Sequence, residues 1–279
     1  MTPMAIIQTI KIIDVYKRQA VFSDIDGTLL DSKHTISPAT KQKIQEIDRE
    51  GIPFILVSAR MPKGMIGIRD ELGIRRPIVC YSGALVVDEK GETMFGRNIE
   101  SHMAEMVYRS IQKENMHISF NLYSGDRWIV PDQCDPWVRQ ESVITGVYPE
   151  TGDFTDLAVF QNVHKILCMG EPEKILCLET MLKEQFPKLR AYRSKDTYLE
   201  IMSIQASKSS AVSLLDEYFG ISRQEIIAFG DGYNDIDMLL YAGLGAAMGN
   251  ASEEVRNSAD IVADTNDQEG LKKVLDEYF

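Results

Sequence analysis

The sequence predicts an α/β fold, a doubly wound and mainly parallel sheet interrupted by an inserted α+β domain. Three observations carry this. The first and last parts of the chain alternate continuous apolar runs with amphipathic stretches, the pattern of parallel strands covered on both faces by helices. The middle, roughly 85–195, alternates apolar and polar residues between hairpin turns, the pattern of a separate unit. With 279 residues there is chain enough for one large or two ordinary domains.

Taken in order, "AVFSD" (20–24) is an apolar strand that ends in Asp24. Ser37 caps the next helix, with Pro38 at its first position, Ile44 and Ile47 facing inward and Gly51 at its stop. "PFILVS" (53–58) and "PIVCYSG" (77–83) are further strands. The middle opens with a hairpin turning at Gly91, followed by a second over 117–132 that turns at "SGD". "HKILCMG", a helix over 172–186 and "LRAYRS" then form a β-α-β unit. Beyond it the first grammar resumes: helix 208–219, strand 225–231, helix 234–242, strand 245–249, helix 252–258, strand 260–264 and a terminal helix from 269. The expected division is therefore 20–84 and 196–279 for the sheet domain and 85–195 for the insert, with hinges near 84–86 and 195–200.

Residues 1–19 are read as a non-native or poorly ordered leader, because the fold starts one strand before Asp24. Within it, "DVYKRQ" is what GAT-GTG-TAT-AAG-AGA-CAG encodes, which resembles a transposase end sequence used in making sequencing libraries. No secretory signal or membrane span is expected there or elsewhere.

Thirty basic and 42 acidic residues leave a net charge of −12, which argues against a nucleic-acid partner. An anionic substrate must then be captured by a local positive site, since the overall field repels it. The four cysteines (Cys80, Cys134, Cys168, Cys177) share no metal spacing, and Cys168 and Cys177 read as buried reduced thiols of a cytoplasmic protein. The four histidines are scattered, and no protein partner is implied.

In a doubly wound sheet the ligand site lies at the carboxyl ends of the strands. Asp24, Asp26, Ser58, Ser82, Gly83, Asp231, Asn234 and Asp235 all fall there. Four carboxylates at one sheet edge repel one another unless a cation joins them. Oxygen ligands alone favour Mg²⁺ over zinc or copper. "GLGAAMG" (243–249) is rejected as a dinucleotide loop, because it follows a helix and opens a strand rather than the reverse.

"DIDGTLL" resembles the first motif of the haloacid dehalogenase superfamily, D-x-D-G-T-L. "ILVSAR" supplies the Ser58 of its second motif, Lys208 in "IQASKSSAV" looks like the third, and "GDGYNDIDML" is similar to the fourth. The long insertion, "HKIL" and "YLEIMSIQASK" resemble the Cof-type branch of that superfamily, sugar phosphatases with a large cap between the second and third motifs. The resemblance implies a Mg²⁺-dependent phosphomonoesterase acting on small phosphorylated metabolites, sugar phosphates first. Asp24 would be the nucleophile and Asp26 the general acid and base. The Asp24 and Asp231 carboxylates and the Asp26 carbonyl would hold Mg²⁺, with Asp235 as a direct ligand or just behind one. Ser58, the Ala59 amide, backbone amides around Ile25 and Gly27, Lys208 and Asn234 would bind the phosphate.

The chain departs from the family pattern in "YSGAL", with Ser82 where Asn is common, and in Ser209, where Gly commonly follows the motif lysine. "SAR" stands for T-G-R and keeps the hydroxyl and Arg60, which either contacts substrate or forms a surface salt bridge. Asn250, at a strand's carboxyl end, is expected to support the site. Tyr123, Arg127, Trp128, His164 and Arg193 are candidate contacts from the cap. Two other readings remain: a phosphosugar mutase on a related fold, and a non-catalytic phosphometabolite-binding protein.

Overall fold

The structure, a computed structural model, describes residues 18–114 and 116–279. The expectation about the leader thus lies, for residues 1–17, outside the described residues. Gln19 is described, and its N–H donates to Glu225 O at 2.8 Å, one residue before the first strand.

The chain first builds β1 (Ala20–Ser23), α1 (Pro38–Arg49), β2 (Phe54–Val57), α2 (Lys63–Leu72) and β3 (Ile78–Cys80). Ser37 Oγ accepts from the Thr40 N–H at the start of α1, Ile44 and Ile47 are buried beneath it, and Gly51 follows its end at φ +89°. β4 (Leu85–Val87) and β5 (Thr93–Gly96) then add an antiparallel hairpin to the β3 edge. The hairpin therefore extends the first sheet instead of opening the insert. Leu85 pairs with Cys80 and Val87 with Ile78, so the turn over Tyr81–Ala84 is too tight to carry the chain away. Alternation marks a hairpin but not the sheet it joins.

The insert comprises α3 (Ser101–Lys113), β6 (Ser119–Ser124), β7 (Arg127–Val130), α4 (Pro136–Thr145), β8 (Glu150–Thr151), β9 (Lys165–Met169), α5 (Pro172–Gln185), β10 (Leu189–Lys195) and β11 (Tyr198–Ser203). Among the described residues its strands form a sheet in the order β10-β11-β9-β6-β7-β8. β11 lies between β9 and β10 and pairs antiparallel with both, so the second crossing falls after Ser203 and not at 195–200. Phe120, Leu122, Ile166, Cys168, Leu199 and Ile201 face α3 and α5 in one core. The opposite parity, including Tyr123, Leu167 and Met202, belongs to the cluster that continues into the first sheet.

The chain returns as α6 (Lys208–Phe219), β12 (Ile226–Gly230), α7 (Ile236–Tyr241), β13 (Leu244–Ala247), α8 (Glu253–Asn257), β14 (Ile261–Val262) and α9 (Gly270–Tyr278). The first sheet runs β14-β13-β12-β1-β2-β3-β4-β5, parallel from β14 to β3. Every residue of β1, β2, β12 and β13 is buried, as continuous apolar runs require. Cys168 is buried as expected, but Cys177 is exposed: apolar neighbours in sequence place it on α5 without turning it inward. No helix among the described residues is long and apolar enough to cross a membrane.

Candidate active site

The order of the sheet brings the carboxyl ends of β1, β2, β3 and β12 together, and Asp24, Ser58, the Tyr81–Gly83 turn and Asp231 stand there. Asp24 continues β1 by donating its N–H to Phe229 O at 3.0 Å. Its side chain is buried, and Oδ1 receives the Lys208 ammonium at 2.5 Å. The same ammonium lies 2.5 Å from Asp235 Oδ1. Lys208 is the first residue of α6, where a helix end alone would disfavour a cation. Burial also lowers its pKa, but Asp235 and Asp24 more than reverse this and hold the ammonium charged.

One oxygen from each of Asp24, Asp231 and Asp235 lies within 4.8 Å of the others. Burial raises the Asp24 carboxyl well above its usual range against the pull of Lys208, and Asp235 and Asp231 add to the rise. Burial likewise lifts Asp231 to about 6, opposed by its hydrogen bond from Thr28. Three carboxylates thus face one ammonium, a deficit that one divalent cation would make good. The donor set fits an oxygen-seeking metal. Asp235 has both oxygens engaged, Oδ1 by Lys208 and Oδ2 by the N–H groups of Asp231 (3.0 Å) and Gly232 (2.8 Å). It therefore fixes the loop after β12, and a metal could be held by Asp24 and Asp231 with Asp235 as a direct ligand or just behind them.

Asp26 does not join this cluster. The chain turns sharply after Ile25, whose carbonyl accepts from Leu29 and Leu30, and the Asp26 carboxylate points outward, where it is exposed. There it meets the Arg60 fork, with Nε 2.8 Å from Oδ2 and Nη2 2.5 Å from Oδ1. Of the two roles open to Arg60, the structure holds the salt bridge, made to Asp26. Gly27 sits at φ +82°, and a Cβ there would lie 2.3 Å from Asp231 Oδ2, so only glycine lets this loop pass. Asn250 donates to Gly27 O in this loop at 2.8 Å. Thr28, to which the sequence reading gave no role, donates to Asp231 Oδ1 at 2.7 Å. Its place in the D-x-D-G-T motif was the available signal.

Ser58 is buried, and its Oγ accepts from the Arg60 N–H at 3.2 Å, leaving its own hydroxyl proton to donate. Ser58 O takes the Ser82 N–H (2.9 Å), and the Asn234 amide donates to Ser82 Oγ (3.3 Å), so loops from three strands are stitched together. Ser82 stands at φ 48°, and Gly83 at φ +97° has Ser207 O where a Cβ would go, 1.9 Å away. Gly83 is thus what allows the third loop to touch the start of α6.

The insert's sheet covers this edge. Tyr81 Oη donates to Gly125 O (2.8 Å), the Lys63 N–H donates to Asp126 Oδ1 (2.7 Å), and Tyr192 reaches Ser82. Tyr123 packs against Tyr81, His164 stacks on it, and Trp128 stacks on Tyr123. Arg127 and Arg193 turn away instead. Arg127 pairs with Glu150 at the sheet's far edge, and Arg193 pairs with Glu179 of α5. Arg193 shares strand parity with Leu189 and Ala191, which face the helices, so its direction follows from β10 itself.

The model of a family described as haloacid dehalogenase-like hydrolase matches residues 21–275. A Haemophilus influenzae protein named as a phosphatase is 40% identical over 261 residues, 94% of this chain and 98% of that protein. A Bacillus subtilis protein named 5-amino-6-(5-phospho-D-ribitylamino)uracil phosphatase is 27% identical over 263 residues, 92% of this chain and 96% of that one. Among solved structures, a haloacid dehalogenase-like hydrolase from Bacteroides thetaiotaomicron superimposes with a TM-score of 0.85. It is 29% identical, over 94% of this chain and all of that one.

Proposed function

The chain belongs to the haloacid dehalogenase-like hydrolase family, in its Cof-type branch, and is a phosphatase, and on that premise we propose that it hydrolyses small phosphorylated metabolites, sugar and polyol phosphates first, through an aspartyl-phosphate on Asp24. The observation that carries this reading is the Asp24 carboxylate at the end of β1, beside Lys208 and Asp231. The Bacillus relative, which acts on a ribityl phosphate ester, supports the choice of a polyol leaving group.

In the reaction, an Asp24 oxygen forms a bond to phosphorus as the ester oxygen leaves, and Asp26 gives that oxygen its proton. Asp26 then takes a proton from water as the water oxygen attacks phosphorus. Phosphate is released and Asp24 restored. Arg60 holds the Asp26 carboxylate in place between these steps. Ser58, the Ala59 amide and the amides around Ile25 and Gly27 receive phosphate oxygens, and Lys208 offsets the charge that gathers on Asp24 and the phosphoryl group. Asn234 orients Ser82 at the edge of the same pocket. Mg²⁺, held by Asp24, Asp231 and the Asp26 carbonyl, would neutralise the transferring phosphoryl group when bound. The four free cysteines, two of them exposed, favour a reducing compartment, and the same reading puts the enzyme in the cytoplasm.

The test is a phosphate-release screen over phosphorylated metabolites with Mg²⁺, run beside Asp24→Asn. Release from sugar or polyol phosphates by the wild type alone is expected. Equal release by the variant, or none that depends on Mg²⁺, overturns the reading.

A further inference from the structure

We propose that Lys165, on the covering sheet, is a positioning residue for the phosphate-binding turn after β2, acting through the Ala59 carbonyl. The inference rests on the roles given above to Ser58 and Ala59.

Lys165 opens β9 and points toward the first sheet. Its Nζ donates to Ala59 O at 3.3 Å, across 106 residues of sequence. It also lies 3.2 Å from Glu200 Oε2, 4.7 Å from the Tyr123 ring centre and 5.6 Å from that of Tyr81. The lysine and glutamate side chains are each 9% exposed. An ammonium this deep is costly unless compensated, and here a carboxylate and two ring faces do so. Within the insert the ammonium has the Glu200 carboxylate and the Tyr123 ring face, and it directs one of its protons across to Ala59 O on the other sheet.

The acceptor it reaches matters. The neighbours of Ala59 are pinned within the first sheet: Ser58 N–H donates to Val79 O, Ser82 N–H to Ser58 O and Tyr81 N–H to Arg60 O. Ala59 O has no such partner, and Lys165 is the one donor to it among the described residues. The turn that must aim its amide and the Ser58 hydroxyl at a phosphate is therefore complete only while the insert is docked. Withdrawal would free the carbonyl and expose a lysine–glutamate pair, so this hydrogen bond ties the turn after β2 to the docked insert.

Because the turn meets the phosphate and not the leaving group, removing the contact should weaken every ester alike. The experiment compares wild type with Lys165→Met and Lys165→Arg, using a hexose phosphate, an aryl phosphate and calorimetric binding of inorganic phosphate, all with Mg²⁺. We expect Lys165→Met to lose about ten- to a hundredfold in kcat/KM on both esters, with a similar loss in phosphate affinity, and Lys165→Arg to recover most of it. Unchanged phosphate affinity overturns the proposal, as does a loss confined to one ester, which would make Lys165 a leaving-group contact. An arginine variant no better than the methionine one also overturns it. Full turnover by Asp24→Asn would instead remove the nucleophile reading and leave this test standing, since phosphate binding is measured without turnover.

Discussion

The Lys208 ammonium lies 2.5 Å from Asp24 Oδ1, and no part of the lysine side chain is exposed. In the proposed reaction it is the positive charge that a chain of net charge −12 supplies locally to admit an anion. It also keeps two buried carboxylates compatible with folding.

Lys208→Met should therefore be costly twice. Leaving Asp24 and Asp235 buried without their partner is expected to remove about 3–5 kcal/mol of stability. Urea unfolding at neutral pH measures this, and an unchanged midpoint would contradict the buried ion pair. Turnover should fall with it, since Asp24 loses the group that orients it.

The remaining charge deficit predicts that Mg²⁺ alone stabilises the protein. A cation present at a hundred times its dissociation constant adds about 2.7 kcal/mol. Melting curves with and without Mg²⁺ should show the upward shift, reversed by a chelator. Asp231→Asn should lose most of it, whereas Asp267→Asn, at an exposed acid that accepts from the Ser32 N–H, should keep it.

Much of this site was legible because its chemistry and its strand ends coincide in the chain. Asp24, Ser58 and Asp231 each close an apolar run, and position alone puts them at one edge. Asp26 was harder: a two-residue spacing implies a shared side only while the strand continues, and the turn after Ile25 ends it. The hairpin 85–96 was recognised as a hairpin but given to the wrong sheet, since pairing partners are set by long-range packing. Lys165 and Tyr192 lay out of reach, because their contacts join residues more than a hundred positions apart.

Gly83 tests how closely the third loop must approach α6. Alanine there meets Ser207 O at 1.9 Å and an unfavourable φ of +97°. The combined cost should be about 3 kcal/mol or more, with loss of activity as Lys208 is pushed aside. Gly91→Ala, at φ +87° but in open space, should cost about 1 kcal/mol and leave turnover alone. Equal effects at both positions would refute the close-approach argument.

Arg60 offers the opposite balance. Its side chain is 35% exposed and that of Asp26 45%, so breaking the pair in Arg60→Met should change stability by under about 1 kcal/mol. Turnover should nonetheless drop about tenfold or more, because the carboxylate proposed to carry the protons loses its fixed orientation. A variant with wild-type kcat would show that Asp26 needs no such support.

His164 makes the docked insert sensitive to acid. Its Nδ1 accepts from the Gly125 N–H at 3.0 Å, and its ring stacks on Tyr81, so the neutral form is the one that fits. Burial lowers its pKa from 6.5 to about 4. Between those values the unfolded chain takes a proton that the folded one refuses. Stability contributed here is complete above pH 6.5 and drains away as pH falls toward 4. The loss should reach about 3 kcal/mol, counting roughly 1.36 kcal/mol per pH unit. His164→Gln can still accept from Gly125 but cannot titrate, so the wild type should lose stability more steeply than the variant across that window. Parallel curves from urea unfolding at stepped pH would show that His164 is protonated in the folded protein as readily as in the unfolded chain.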